Sequence, residues 1–141
     1  MKNIIETLKE SEGFATFLDL VRIANMEENL AREGPFTVFA PTDEAFARVQ
    51  RERMDELRQD PDTLELLLAY HIVPGMLSST ELRQLSAAQT LLGTMLTVRS
   101  SSLGISINNV RIVEADAFCT NGICHALDAA LIPPDIPVIV T

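Results

Sequence analysis

The residues best placed to do chemistry lie together in Cys119-Thr120-Asn121-Gly122-Ile123-Cys124-His125. Read literally this is C-x4-C-H, a spacing variant of the haem-attachment motif C-x-x-C-H, and with His71 it adds up to a Cys2His2 set of the kind that holds zinc. Both readings meet the same objection. Asn-Gly within a β-type run is a tight-turn dipeptide, and successive strand residues face opposite ways, so His125 is expected to point away from Cys124. Neither a metal nor another cofactor is therefore expected. A cross-strand pair of thiols fits better: with Asn121 and Gly122 as the turn residues, Thr120 pairs with Ile123. Cys119 then falls opposite Cys124 at a non-hydrogen-bonded site, where side chains come closest. Such a pair can form a disulfide in an oxidising compartment and stays as thiols in a reducing one.

Other candidates are weaker. Asp43 and Glu44 are adjacent carboxylates, but they follow Thr42 at the start of a helix, where Thr42 caps and two acids suit the positive end of the dipole. Catalytic carboxylate pairs need environments that separate their pKa values, and this pair is expected to be exposed. His71 falls on the apolar side of a helix-to-strand junction, where the expected role is a buried imidazole hydrogen-bonded to main chain, with a ligand or partner contact as the competing reading. The chain has no G-x-S-x-G elbow, no G-x-G-x-x-G and no G-x-x-x-x-G-K, and neither cysteine has an activating neighbour in the sequence. No reaction can be assigned, and an enzyme is not expected.

Composition narrows the partners. The 141 residues suffice for one domain with its own core, and at 47% hydrophobic but 5% aromatic that core must be mostly aliphatic. A net charge of −9 and a pI near 4.6 argue against a nucleic-acid backbone, whose binding depends on Lys and Arg, and against an anionic membrane surface. No apolar run approaches the ~20 residues of a membrane span. Met1-Lys2-Asn3-Ile4-Ile5-Glu6 opens like a signal peptide but meets an acid before an apolar region forms, so the expectation is a cytoplasmic chain or a mature fragment with a new Met.

The elements that would position these residues can be read in order. Residues 3–33 read as helices, with Phe14, Phe17, Leu18 and Val21 on one face and Asn25 with Glu28 as a capping box for a helix from Met26 to the Gly34-Pro35 break. Phe36-Thr37-Val38-Phe39-Ala40 reads as a strand closed by Pro41. Residues 48–60 form a charged, solvated helix, and Asp60-Pro61 restarts the chain as cap and first helical position. Leu64, Leu67, Leu68 and His71 share the next helical face, and Ile72-Val73-Pro74-Gly75 is a short strand and turn. Ser78 with Glu81 caps a further short helix. From Gln89 the period becomes two, and short strands near residues 94–98, 105–107 and 110–113 point to an antiparallel sheet system. Ile123, Leu127, Ala129 and Leu131 are expected to point inward.

Three segments in this order resemble the fasciclin I (FAS1) domains. Phe36-Thr37-Val38-Phe39-Ala40-Pro41-Thr42-Asp43-Glu44-Ala45-Phe46 is similar to the first box of that family, Tyr70-His71 to its central Tyr-His motif, and Asn121-Gly122-Ile123-Cys124-His125-Ala126-Leu127-Asp128-Ala129-Ala130-Leu131-Ile132-Pro133 to its second box, usually NGVIHVIDAVLIP. The resemblance implies an α+β fold, with N-terminal and intervening helices packed on a wedge of two mostly antiparallel β-sheets, in one domain over residues 1–134. It implies a non-enzymatic module for cell adhesion or for binding a protein, cell-surface or matrix component, placed outside the cell, in a periplasm or on a cell surface. A small-ligand carrier with a lipid-sized aliphatic cleft is the alternative. Thr42, Asp43, Tyr70, His71 and Asp116 are the motif positions to examine. In animal members the Tyr-His region and an Asp-Ile motif are implicated in integrin recognition; Asp116-Ala117 stands at the latter position here, so that binding is not carried over.

The resemblance stops near Pro134. The tail 135–141 carries Ile136, Val138, Ile139 and Val140 between prolines, an apolar extended run expected to pack on its own domain or to add as a strand to a partner or second copy, giving a weak homodimer.

Overall fold

Three short helices come first, α1 (Ile4–Glu10), α2 (Ala15–Ile23) and α3 (Glu27–Arg32), in a computed structural model that describes residues 2–133. The expectations for the tail, packing on its own domain or adding as a strand to a partner or second copy, lie outside the described residues. α1 opens on a capping box, Asn3 accepting from the Glu6 amide at 2.8 Å and Glu6 from the Asn3 amide at 3.1 Å. α2 buries Phe14, Phe17, Leu20 and Val21, while Leu18 stays half-buried: the true period of 3.6 rotates the stripe toward Leu20. The start of α3 differs from expectation. Its N-cap is Met26, with no side-chain cap, and Asn25 instead adopts a φ of 60°, so its tolerance of left-handed backbone is what the α2–α3 turn uses.

Strand β1 (Phe36–Pro41) leads into α4 (Asp43–Ala47), α5 (Arg51–Arg58) and α6 (Pro61–Ala69), followed by β2 (Ile72–Pro74) and α7 (Ser79–Leu82). Both expected caps are present, Asp60 with Pro61 at the start of α6 and the Ser78–Glu81 box at α7. The rest is sheet: β3 (Ala87–Gln89), β4 (Met95–Ser101), β5 (Gly104–Ile107), β6 (Val110–Cys119) and β7 (Gly122–Leu127). Neighbouring strands follow the order β2-β1-β7-β6-β5-β4-β3, and every pairing is antiparallel except β1 with β7. The fold class is α+β as expected, with β6 joining the half that holds β1 and β7 to the half that holds β4 and β5. The two outer strands also meet, since the Leu91 amide after β3 donates to the Ile72 carbonyl of β2 at 2.8 Å.

Alternation along the central strands divides the apolar interior in two. Val38 and Ala40 of β1, with Cys124 and Ala126 of β7, face the helices and join Phe17, Leu20, Leu64 and Leu68 in one core. Phe39 and Leu127 face the other way, into a second core completed by Leu82, Leu96, Val98, Ile105 and Ile107. Because both faces of β7 are covered, all six of its residues are buried. Each fully buried Leu or Phe contributes roughly 1.5–3 kcal/mol, so these two layers are the main source of stability. Ile123 and Leu131 are buried as expected; Ala129 is only half-buried.

The β6–β7 hairpin turns one residue earlier than the Asn-Gly signal predicts. Cys119 pairs with Gly122 and Phe118 with Ile123, leaving Thr120-Asn121 as the turn, and Cys124 lies opposite Ala117 rather than Cys119. Asn121 is not among the residues with positive φ. The reason is tertiary. Gly122 pairs with Phe36 of β1, and a Cβ on Gly122 would stand 2.0 Å from the Phe36 carbonyl oxygen, so the glycine serves close approach of two parallel strands. The left-handed turn chemistry belongs to Asn108-Asn109, with φ of 50° and 67°, which closes the β5–β6 hairpin at Ile107–Val110.

Candidate functional site

The motif residues converge on β1 and its two neighbours. Phe39 is fully buried; its amide donates to the His71 carbonyl at 2.8 Å, and its ring stacks on His125 with centroids 5.6 Å apart and planes 23° apart. The two histidines therefore flank one β1 residue. Their exposures are 1% for His71 and 0% for His125, so neither ring presents itself to a partner from solvent.

His71 arrives there because α6 ends one residue before it and Ile72 begins β2. Its Nδ1 lies 2.8 Å from the Leu67 carbonyl, and its Nε2 accepts from the Leu131 amide at 2.9 Å. A carbonyl can only accept and an amide N–H can only donate, which fixes the neutral ring with its proton on Nδ1. Burial drives its pKa down to about 4, against the smaller upward pull of the Leu67 carbonyl. Tyr70, also buried, accepts from Asn108 Nδ2 at 2.8 Å, tying the end of α6 to the β5–β6 hairpin. The sequence reading placed His71 correctly and missed Asn108, whose only signal was the Asn-Asn pair between two β-type runs.

His125 has the opposite arrangement. Its Nε2 donates to the Leu77 carbonyl, at 2.7 Å, and its Nδ1 accepts from the Asp116 amide at 3.2 Å. Burial lowers its pKa, with the Leu77 carbonyl and the Asp116 charge pulling the other way. Asp116 sits where β6 slips register between Glu114 and Ala117, at a φ of 65°, so its amide leaves the ladder and meets the imidazole instead. Its carboxylate crosses to the start of α7, accepting from the Ser79 amide at 2.8 Å and from the Ser79 hydroxyl. Burial pushes the Asp116 pKa up, but the two Ser79 hydrogen bonds and the nearby His125 outweigh it and leave the carboxyl below its usual range. Thr37 completes the hub: its hydroxyl donates to the Gly75 carbonyl at 2.7 Å and accepts from the Leu77 amide at 2.8 Å. Thr37, His125 and Asp116 thus hold the loop between β2 and α7 by its backbone.

Thr42 and Asp43 lie at the far end of β1. Thr42 caps α4, accepting from the Ala45 amide at 3.1 Å, as expected. Asp43 does more than complement its own helix. Its Oδ1 accepts from the Thr16 amide at 2.8 Å, so it also satisfies the first turn of α2, and its amide donates to the Gly13 carbonyl at 2.7 Å. Among the described residues every buried side-chain nitrogen and oxygen has a hydrogen-bond partner.

The thiols of Cys119 and Cys124 are both reduced, with Sγ atoms 3.9 Å apart across the corrected register. Cys119 also reaches Thr7 Oγ1 on α1 at 3.4 Å. The Cys124 thiol beside it holds Cys119 down to about 7, while Cys119 and burial push Cys124 up. Cys124 packs in the helical core and His125 against Phe39, so the adjacent pair does face opposite ways; His71 lies beyond that face, and no group of three or more metal-ligating side chains forms among the described residues.

Helices packed on this mixed sheet in this strand order make a FAS1-type fold. A FAS1 domain pair from the insect cell adhesion molecule fasciclin I has the same fold at a TM-score of 0.84, with 16% identity over 99% of this chain and 53% of that one. The chain belongs to the fasciclin family: the Fasciclin domain model matches residues 12–133. Protein sll1483 of Synechocystis is 34% identical over 93% of this chain and 73% of its own length, and the uncharacterized protein sll1735 of the same organism is 33% identical over 94% and 98%. Human periostin is 31% identical over 97% of this chain, which spans 17% of that larger protein.

Proposed function

We propose that the chain is a non-enzymatic binding module of the fasciclin type, recognising a protein or matrix component at a cell surface or outside the cell. The observation that carries this reading is the consumption of the motif's own chemistry. His71, His125, Asp116, Asp43 and Thr37 each bond to backbone of another segment, so these side chains hold loops in place instead of converging on a substrate. A general acid or base needs a titratable group within reach of a substrate proton, and neither imidazole is exposed. Kinship with a domain pair from an insect cell adhesion molecule supports the same reading.

The carrier alternative needs an apolar cavity of roughly 300 Å³ or more. The cavity between α1 and β6 is about 60 Å³, room for a water or two; of the larger hollows, the one of about 450 Å³ beside Thr42 and Asp43 is lined mainly by charged side chains and the one of about 460 Å³ beside Arg99 and Arg111 is an open trough, so neither is an apolar cleft for a lipid. No helix among the described residues is long and apolar enough to cross a membrane. The test is to immobilise the chain and compare retention of a cell-envelope fraction with retention of cytosol from the source cells. Selective retention of envelope protein is the expected result; equal or no retention from both fractions rejects the adhesion reading.

A further inference from the structure

The acids of this protein are segregated, leaving one stretch of the chain net positive. Of a chain with 20 acids and net charge −9, residues 82–113 hold not one Asp or Glu, yet include Arg83, Arg99 and Arg111. The fold gathers that segment into β3, β4, β5 and the start of β6. Register then aligns two of the three arginines, since Arg99 pairs with Ser106 across β4–β5 and Ser106 pairs with Arg111 across β5–β6. Alternation sends Val98, Ile105 and Ile107 into the second core and leaves Arg99 and Arg111 on the outward face, rooted two strand spacings apart, about 10 Å.

Structural duty does not account for them. Arg22, Arg32, Arg53 and Arg58 each pair with a carboxylate; Arg99 and Arg111, like Arg48 and Arg51, make no ion pair among the described residues, but they alone of these four stand on a face whose strands supply no acid from residues 82–113. They flank an open trough of about 460 Å³ whose lining includes Ser100, Ser106 and Leu103, the last 84% exposed. Arg83 adds a third positive charge at the rim, donating to the Ser101 carbonyl at 3.3 Å.

We propose that this outward face of β4, β5 and β6 is the docking surface for an acidic polypeptide segment, with Arg99 and Arg111 each taking a carboxylate and Leu103, in the β4–β5 turn beside them, meeting an apolar side chain. The assignment rests on the binding-module reading and names the class of partner. Guanidinium forks match carboxylates in bidentate geometry, and their spacing of about 10 Å suits two acids on one extended or helical segment. Asp128, whose amide donates to the Arg111 carbonyl at 3.2 Å, and Glu114 farther along β6 adjoin this face, yet neither forms an ion pair with Arg111 among the described residues, and a screening length of about 8–10 Å damps the opposition of acids beyond them. Three positive charges are too few for a nucleic-acid backbone, and the exposed Leu103 has no use for a sulfated polysaccharide. A second copy is disfavoured by the long-range repulsion between two whole chains of net charge −9 each.

The probe is a fluorescein-labelled peptide of Glu-Glu-Leu repeats, titrated into the full chain by anisotropy at low and high salt. Binding should weaken with salt, fall at least tenfold in R99E/R111E, and fall less in R99K/R111K, with thermal melts of both variants matching wild type. The assignment is overturned by a peptide that does not bind, by affinity unchanged in R99E/R111E, by dextran sulfate outcompeting the peptide at the same arginines, or by sedimentation showing copies joined through this face. Loss of the peptide response with envelope retention intact rejects this surface alone, and loss of envelope retention with peptide binding intact rejects the adhesion reading alone.

Discussion

His71 and His125 are locked in opposite tautomers on the two sides of Phe39. His71 donates from Nδ1 and accepts at Nε2, and His125 donates from Nε2 and accepts at Nδ1. Each ring thus joins a carbonyl to an amide from separate segments, Leu67 to Leu131 and Leu77 to Asp116, which a protonated imidazole with two donors cannot do. The fold uses the neutral ring as a bridging piece.

Stability should therefore depend on pH in the range where free histidine titrates. Both histidines have pKa values below the unfolded 6.5, His71 at about 4, so the unfolded chain takes up protons first as pH falls. The contribution is complete above pH 6.5 and is lost between 6.5 and 4, amounting to roughly 3 kcal/mol for His71 at the lower limit. Asp116 adds nothing in that window, because its lowered pKa confines its effect to pH below about 3.8. Urea unfolding at pH 7.5, 5.5 and 4.5 measures the slope; a flat profile contradicts the neutral bridging rings.

Removing one bridge should cost as much as the groups it leaves behind. His71→Ala strands the Leu67 carbonyl and the Leu131 amide, each unsatisfied buried group costing about 1–3 kcal/mol. The variant should be less stable at pH 7.5 and lose most of the pH slope, both read from the same urea titrations. Equal stability would mean that water or a shifted backbone replaces the ring.

What the sequence revealed of this hub depended on distance along the chain. The Asp60 and Ser78 caps involve partners three residues away, and the α6 stripe repeats every few residues, so local pattern sufficed. His71 could be placed because it continues that stripe. Asn121 does sit in the turn, but Gly122 was misread as its second residue, and the side-chain partners of Asn121, namely Ile4, Leu30 and Glu33, are 117, 91 and 88 residues away and left no local signal. The same holds for Asp43, whose second role at α2 depends on a contact 27 residues back, and for Asp116 with Ser79, 37 residues apart. Arg99 and Arg111 looked unremarkable until register aligned them across three strands.

Asn121 makes the hairpin sensitive for a reason other than turn propensity. Its Oδ1 accepts from the Ile4 amide at 2.9 Å and its Nδ2 donates to the Leu30 and Glu33 carbonyls at 2.7 and 2.8 Å, joining α1, α3 and β7. Asn121→Ala should cost about 1–3 kcal/mol, and Asn121→Asp more, since a carboxylate would face two carbonyls. Gly122→Ala should be worse than Asn121→Ala, its Cβ falling 2.0 Å from the Phe36 oxygen. Thermal melts of the three rank them; an alanine at 122 that melts like wild type would contradict the close approach of β1 and β7.

At Asp116 the backbone and the carboxylate can be separated. Asn tolerates the left-handed φ of 65° and keeps an acceptor for the Ser79 amide, whereas Ala loses both. Asp116→Asn should stay within about 1 kcal/mol of wild type and Asp116→Ala should lose about 2 kcal/mol or more by denaturant titration. Near-equal costs for the two would assign the residue's importance to charge alone.

The two thiols should couple on mild oxidation despite the shifted register. Cys119 and Cys124 are diagonal neighbours with Sγ atoms 3.9 Å apart, so a bond requires an approach of about 2 Å, within reach of a rotation of the side chains. Cys119, held down to about 7 by the Cys124 thiol, is the nucleophile near neutral pH. Its thiolate attacks oxidised glutathione, releasing one glutathione thiolate, and Cys124 then displaces the second as its proton leaves, giving one internal disulfide and two reduced glutathiones. The closed loop is short, so the chain-entropy model puts the staple at roughly 2 kcal/mol, less whatever strain the approach introduces. Oxidation also removes the Cys119 contact with Thr7 Oγ1, which loosens α1 from β6 and offsets part of that gain. Thiol titration and intact mass before and after treatment should show loss of two thiols and of two hydrogens, at a protein concentration where no dimer forms. A mixed glutathione adduct that never resolves, or two thiols that never react, would show that the helical core holds the side chains apart.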